Sequence, residues 1–133
     1  MTGLIIVTHA ELAQGFLYAA FMIVGPQKGV MAHCSRCGEQ PEEMERELKR
    51  KVEILSQGSA GVLIMTDMFG GTPTNISLSL LNEGKIEILT GVSLPMVLKF
   101  FSYRDKLPLH ELAALLKTYA QQGVVLVSET VAE

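Results

Sequence analysis

The sequence has no hydrophobic run that approaches the ~20 apolar residues of a membrane-spanning helix. It also lacks the basic region, longer apolar core and small-residue cleavage site of a secretory signal, and its first apolar stretch is interrupted by Thr8 and His9. With 48% hydrophobic and 19% charged residues, the composition is that of a globular protein. These features predict a soluble, cytoplasmic chain for which the membrane is at most a neighbour.

Long runs of basic side chains are missing as well. Acidic and basic residues are interspersed, and the formal net charge is -3. Binding to a nucleic-acid backbone requires a basic surface that neutralises phosphates. We therefore expect no nucleic-acid partner.

Cysteine is scarce, and the two that occur, Cys34 and Cys37, form a Cys-x-x-Cys pair. This spacing is found in redox-active sites and in one half of a zinc site, which needs two further ligands in convergent positions. His33 is adjacent to Cys34 and is expected to point elsewhere. The pattern favours a loop at the end of a strand with mild sensitivity to oxidation. We expect neither a metal nor a cofactor, with a zinc or redox role as the alternative.

Strand-like and helix-like patterns alternate along the chain, and no linker, repeat or change of composition divides it. Short aliphatic runs predict buried strands, and apolar residues at helical spacing predict helices. The predicted strands span residues 3–8, 29–33, 61–66 and 85–90, and the predicted helices span residues 10–24, 42–56, 72–82, 94–103 and 108–122. This order predicts a single α/β domain over residues 1–133, with an open, mainly parallel sheet and helices on both faces.

A last strand-like segment spans residues 123–128. It follows two helices that have little sequence between them, so no ordinary crossover places it in the sheet. It could pair with an edge of its own sheet or with the sheet of a partner subunit.

His9 and Asp67 each come at the end of a predicted strand. In open α/β sheets, ligands and chemistry gather outside the carboxyl ends of the strands. If the two strands are neighbours, Asp67 can accept a hydrogen bond from one ring nitrogen of His9 and fix its tautomer, which leaves the other nitrogen as a nucleophile. The carboxylate would also stabilise the cationic ring that forms during attack.

The turn after the third strand is suited to an anion such as a phosphoryl group. Gly70 and Gly71 let backbone amides approach closely, and the N-terminus of the helix that follows presents free N–H groups. The hydroxyls of Thr72 and Thr66 can add hydrogen bonds. Phosphoryl transfer needs chiefly positioning and charge stabilisation, and this turn is predicted to supply both for a group on His9.

Each of these residues also has a plainer explanation. A histidine at a strand end can be structural, Asp67 can be only a local cap, and Gly-Gly-Thr-Pro is first of all a turn that enters a helix. Their coincidence is what favours a functional interpretation. No lysine follows the glycines as in an ATP-binding P-loop, and no Gly-x-Ser-x-Gly elbow occurs, so those two classes are disfavoured.

Three blocks of the sequence together resemble the enzyme IIA component of the mannose family of the phosphoenolpyruvate-dependent sugar phosphotransferase system. They are Ile-Val-Thr-His-Ala at residues 6–10, Thr-Asp-Met-Phe-Gly-Gly-Thr-Pro-Thr-Asn at residues 66–75 and Leu-Thr-Gly-Val-Ser-Leu-Pro-Met at residues 89–96. Their order and spacing extend across most of the chain. The chain departs from the family's pattern at residues 34–37, where Cys-Ser-Arg-Cys replaces a more acidic or polar loop.

The resemblance implies a phosphohistidine carrier. In that family the histidine after the first strand accepts a phosphoryl group from the phosphocarrier HPr and passes it to an enzyme IIB component in sugar uptake. Carried over, it makes His9 the phosphorylated residue, Asp67 its orienting acid and Thr72 the hydroxyl of the phosphate-binding turn. It also implies a homodimer with an exchanged C-terminal strand, which would account for residues 123–128. The membrane would be met only indirectly, through the transporter complex.

Two alternatives share parts of this interpretation. The chain could be a regulatory sensor of an incomplete phosphotransferase system, whose phosphorylation state is read by a partner protein that binds it. The phosphocarrier of dihydroxyacetone kinases has the same fold and an N-terminal histidine, but the block at residues 67–73 favours the mannose-type branch.

Overall fold

The computed structural model describes residues 1–82 and 85–131. The strands are β1 (Gly3–His9), β2 (Val30–Ser35), β3 (Val62–Thr66) and β4 (Ile86–Leu89). The helices are α1 (Leu12–Val24), α2 (Pro41–Ser56), α3 (Thr72–Leu78), α4 (Leu94–Tyr103), α5 (Leu109–Gln122) and α6 (Val127–Val131). Among these helices, none is long and apolar enough to cross a membrane.

The four strands form one parallel sheet in the order β2-β1-β3-β4. β3 is buried throughout and β1 is buried except for its last residue, because these central strands are covered on both faces. The predicted α/β fold with an open parallel sheet is confirmed. Since β1 and β3 are parallel neighbours, the residues that follow them emerge at the same edge of the sheet.

Helices cover both faces of the sheet, as predicted. Successive side chains of β1 alternate between the faces. Leu4 and Ile6 pack into a core with residues of α1, α4 and α5. Ile5 and Val7 pack into a second core with residues of α2 and α3. These two cores hold the central strands firmly and thereby fix the positions of the residues at their ends.

The chain turns sharply between β1 and α1, which begins at Leu12 rather than at Ala10 as predicted. Ala10 has a φ of 49°, in the left-handed region that a residue with a side chain seldom adopts, and this interrupts the helix. Its N–H donates to the Ser35 carbonyl at 2.8 Å. Thr8 Oγ1 accepts a hydrogen bond from a helix N–H at 2.7 Å. The turn is therefore anchored on both sides of the residue it displays, His9.

Within the single chain, residues 123–128 do not form the predicted strand in the sheet. The chain leaves α5 without regular structure, and the short helix α6 begins at Val127. A strand needs a neighbour that pairs with its backbone groups, and no described strand pairs with this segment. Local hydrogen bonds replace such pairing, for example from the Glu129 N–H to the Leu126 carbonyl at 3.0 Å. The apolar side chains consequently stay exposed, and Val124 has 87% of its surface in solvent.

Candidate active site

His9 and Asp67 lie side by side at the carboxyl edge of the sheet, as the sequence predicts. Val7 of β1 is in register with Thr66 of β3. Asp67 follows Thr66 directly, and His9 is the last residue of β1. The parallel pairing of these two strands therefore brings together groups that are far apart in the sequence.

The Asp67 carboxylate holds the imidazole of His9 through one oxygen. Oδ2 lies 2.7 Å from Nδ1 of His9 and also accepts the His9 backbone N–H at 2.9 Å. A carboxylate can only accept, so Nδ1 carries the proton and the lone pair is on Nε2. The His9 side chain is 51% exposed and that of Asp67 is 12% exposed. Nε2, the nitrogen with the lone pair, is thus on an accessible ring, while the carboxylate that contacts this ring is largely covered.

The environment of Asp67 favours its ionised form. Burial alone would raise the pKa of this carboxyl. The hydrogen bonds from the His9 backbone N–H and ring, together with the attraction of that ring, outweigh burial and lower the pKa below its usual value. Asp67 is therefore a carboxylate at neutral pH and remains a hydrogen-bond acceptor for His9.

The glycine turn packs directly against the imidazole. Gly70 has a φ of 92°, a conformation that glycine adopts without strain. A Cβ on Gly71 would lie 2.9 Å from Cε1 of His9, closer than real Cβ atoms approach a neighbouring atom. The second glycine is therefore required by the close approach of backbone and ring, which confirms that the turn lies next to His9.

Thr72 and Thr66 have different surroundings, although the sequence assigns both to the phosphate-binding turn. Thr72 lines the pocket that contains His9. Thr66 is fully buried, and its hydroxyl lies 2.7 Å from that of Thr74, which donates to the Met68 carbonyl at 2.6 Å. The prediction for Thr66 is therefore corrected: its hydroxyl bonds within the protein. It supports the turn through Thr74, which the sequence interpretation overlooked.

The pocket at this edge has a volume of about 610 Å³. Its walls come from the ends of β1 and β2, the turn after β2 and the start of α3, and include His9, Ala10, Arg36, Cys37 and Thr72. Arg36 is the one lysine or arginine among the lining residues that the structure describes. It forms an ion pair with Glu11. The sequence interpretation gave no role to this pair, because Arg36 is one of the two unspecified positions of the Cys-x-x-Cys pattern and Glu11 lies outside the motifs.

The two cysteines are free thiols in different settings. Cys34 lies in β2 and is partly buried against a core, whereas Cys37 is exposed in the turn that follows and lines the pocket. The predicted loop at a strand end therefore holds for Cys37 alone. Within the described ranges, no group of three or more His, Cys, Asp or Glu side chains is arranged to hold a metal ion.

His33 lies in β2 and makes a polar contact away from this pocket. It is 2% exposed, and Lys51 Nζ lies 3.1 Å from its Nδ1 while also donating to the Ala32 carbonyl at 3.0 Å. Burial, reinforced by the positive charge of Lys51, lowers the pKa of His33 below its ordinary value of 6.5. The imidazole is therefore neutral in the folded protein and accepts a hydrogen bond from Lys51.

The wild type is expected to lose more stability than the variant His33→Gln when the pH is lowered from about 7.5 to about 5.5. His33 has a lower pKa in the folded chain than in the unfolded chain, so the unfolded chain binds the extra proton between the two values. The stabilisation is complete above the unfolded pKa of about 6.5 and declines as the pH falls through it. Urea unfolding at several pH values measures this effect, and parallel curves for the two proteins would contradict it.

The fold and the site together define a class of protein. It is a small α/β domain with an open pocket at the carboxyl edge of its sheet, and in this pocket lies an imidazole that is hydrogen-bonded to a carboxylate. Residues 3–117 match the family model EIIA-man, described as the PTS system fructose IIA component. The chain belongs to this family of IIA components of the sugar phosphotransferase system (PTS). The predicted resemblance to mannose-family IIA components is confirmed.

Individual relatives agree with the family assignment. A fructose-specific EIIA component of the PTS from Bacillus subtilis (strain 168) is 28% identical over 97% of this chain and 88% of its own length. A mannose-specific EIIAB component from Escherichia coli (strain K12) is 30% identical over 92% of this chain, which spans 38% of that protein. A crystal structure of a phosphotransferase system component EIIA from Streptococcus agalactiae matches with a TM-score of 0.87 at 28% identity, covering 97% of this chain and 99% of that one.

Proposed function

We propose that this chain is a cytoplasmic phosphohistidine carrier in which His9 accepts a phosphoryl group from HPr and passes it to an enzyme IIB component during sugar uptake. The observation that carries the proposal is the 2.7 Å contact between Nδ1 of His9 and Oδ2 of Asp67. It assigns the proton to Nδ1 and leaves Nε2 to react. Membership of the IIA family supports the direction of transfer, from one protein to another.

The chemical step follows from this tautomer. The Nε2 lone pair attacks the phosphorus of the HPr phosphohistidine, a P–N bond forms, and the P–N bond to the donor ring breaks. A donor ring that is protonated on its other nitrogen leaves as neutral imidazole with the electron pair of the broken bond. His9 becomes a cationic phosphoimidazole that keeps its proton on Nδ1. The carboxylate of Asp67 stabilises this cation. In the second transfer the acceptor side chain of enzyme IIB attacks the phosphorus, the P–N bond to Nε2 breaks, and His9 leaves as neutral imidazole with its proton on Nδ1.

The phosphoryl oxygens would be received by the glycine turn. A Cβ on Gly71 would lie 3.4 Å from Nε2 of His9, so the turn passes close to a group on that nitrogen, and the backbone N–H groups of Gly70 and Gly71 are its proposed donors. The hydroxyl of Thr72, in the wall of the same pocket, is a further donor. Phosphoryl transfer requires mainly such positioning and charge stabilisation, and these residues supply the positioning.

The proposal is tested by incubating the chain with labelled phosphoenolpyruvate, enzyme I and HPr. We expect an acid-labile, base-stable phosphate on the chain, followed by its transfer to a mannose-family IIB protein. A chain that takes no label under conditions that phosphorylate HPr would overturn the proposal. A labelled chain that no IIB protein discharges, but that binds another protein only when phosphorylated, would favour the regulatory alternative.

We further propose that the chain forms a homodimer through its C-terminal segment. The segment exposes a row of apolar side chains, and the outermost strand, β4, has no strand beyond it in the described sheet. Burying these side chains against a second copy would remove them from water. Sedimentation equilibrium should give a dimer for the full chain and a monomer after truncation at Gly123. A monomeric full chain at micromolar concentration would contradict the proposal.

A further inference from the structure

The turn after β2 forms one wall of the His9 pocket and is held in place by its own hydrogen bonds. The Arg36 N–H donates to Oε1 of Glu39 at 2.9 Å, and the Glu39 N–H donates to the Arg36 carbonyl at 3.2 Å. Gly38 completes the turn with a φ of 89°. On the preceding side, the Ser35 carbonyl accepts the N–H of Ala10. The backbone of Arg36 is therefore fixed relative to the residue after His9.

The Arg36 side chain is also positioned, in this case by Glu11, which directly precedes α1. The guanidinium Nη1 is paired with Glu11 Oε1, and the two side chains are 60% and 62% exposed. A guanidinium has five N–H donors, so one ion pair fixes its position without using its full capacity. Arg36 can thus keep Glu11 as a partner and bind a second anion in the pocket.

We propose that Arg36 is the catalytic cation that binds the phosphoryl group on His9, and that Glu11 is its positioning residue. The inference rests on the proposed phosphorylation of His9. Without a cation, a phosphoryl dianion on His9 would lie beside the carboxylate of Asp67, in a pocket that Glu39 also lines. Arg36 supplies the compensating charge together with N–H donors whose planar arrangement fits phosphate oxygens.

A contact made only with the phosphorylated form shifts the transfer equilibrium toward that form. Charge-assisted hydrogen bonds are the strong ones, but the exposure of Arg36 reduces their contribution because solvent and salt screen it. We expect Arg36→Gln to lower the equilibrium constant for transfer from phospho-HPr by about tenfold, and the deficit to shrink at high salt. Arg36→Lys should recover part of the loss, because it restores the charge but not the fork of donors.

Arg50→Gln is the matched control. Arg50 is an exposed arginine on α2, paired with Glu47 at 3.5 Å, and it does not line the pocket. Its loss removes the same charge from the chain and should change the equilibrium by less than about twofold. Glu11→Gln should give a smaller loss than Arg36→Gln, because Arg36 would remain but be less well placed. If Arg36→Gln and Arg50→Gln have equal effects, Arg36 has no role at the phosphoryl group.

A second measurement tests the anion site without any transfer protein. Inorganic phosphate is titrated into the unphosphorylated chain while the NMR signals of the His9 ring and the Arg36 guanidinium are followed. Saturable shifts in the wild type and in Arg50→Gln, lost in Arg36→Gln, support the inference. Absence of shifts in the wild type, or unchanged shifts in Arg36→Gln, overturns it. If the chain takes no label from HPr while Arg36-dependent phosphate binding is present, the proposed function fails and the anion site stands.

Discussion

Replacing His9 with glutamine is expected to abolish the acid-labile phosphate that HPr places on this chain. Glutamine keeps a polar side chain at the sheet edge but has no nitrogen lone pair able to attack phosphorus. Because 51% of the His9 side chain is exposed, the variant should fold, with a loss of about 1 kcal/mol in the free energy of unfolding. The measurement is the amount of labelled phosphate that each chain retains after alkaline denaturation.

His110→Gln is the matched control for this prediction. His110 is likewise an exposed histidine paired with a carboxylate, since its Nδ1 lies 3.0 Å from Oε2 of Glu87. It lies on α5, away from the pocket at the carboxyl edge of the sheet. We expect full labelling of this variant. Labelling that survives in His9→Gln, or that disappears in His110→Gln, would contradict the assignment of the phosphoryl group to His9.

The pairing of His9 with Asp67 could be predicted from the sequence because two simple regularities combine in it. Continuous apolar runs indicate central parallel strands, and parallel strands end at the same edge of the sheet. The prediction needed only the further condition that β1 and β3 are neighbours, which the structure confirms. The glycine turn is similarly readable, because its sequence is both an anion-binding pattern and a helix entry.

The direction of the Thr66 hydroxyl could not be predicted from the sequence. A strand that is polar on one face reveals which residues point inward, but β3 is buried on both faces and has no alternation. Its sequence therefore does not indicate toward which side the Thr66 hydroxyl points. The hydroxyl points into the protein and bonds to Thr74.

The C-terminal segment and Arg104 show two further limits. β-branched residues favour a strand only where a neighbour is available, and residues after Gly123 find none within the described chain.

Arg104 is 3% exposed, although arginine is seldom buried. It donates to the Thr2 carbonyl at 2.8 Å and to the Lys28 carbonyl at 2.8 Å, which ties the starts of β1 and β2 to the end of α4. Contacts between residues so distant in sequence leave no local pattern.

Replacing Asp67 with asparagine is expected to slow phosphoryl transfer by about 100-fold or more, although His9 remains. Asp67 Oδ2 accepts hydrogen bonds from both the backbone and the ring of His9. Oδ1 is buried and has no hydrogen-bond partner among the described residues. An amide NH2 at the Oδ2 position would face the His9 backbone N–H, donor against donor, so the amide oxygen is expected to take that position and to keep both hydrogen bonds. The tautomer of His9 then stays as in the wild type, and the variant loses the negative charge that stabilises the cationic phosphoimidazole.

Asp67→Ala separates the lost charge from the lost acceptor. Alanine removes both the charge and the oxygen that holds the proton on Nδ1, so transfer should be slower than in Asp67→Asn. Ring 15N chemical shifts should report an Nδ1–H tautomer in the wild type and in the asparagine variant, and a mixture of tautomers in the alanine variant. The lowered pKa of Asp67 keeps it ionised throughout the neutral range, so protonation of this carboxyl should not remove the wild-type advantage between about pH 6 and pH 8. Equal transfer rates in the wild type and Asp67→Asn would show that the negative charge of the carboxylate does not assist transfer.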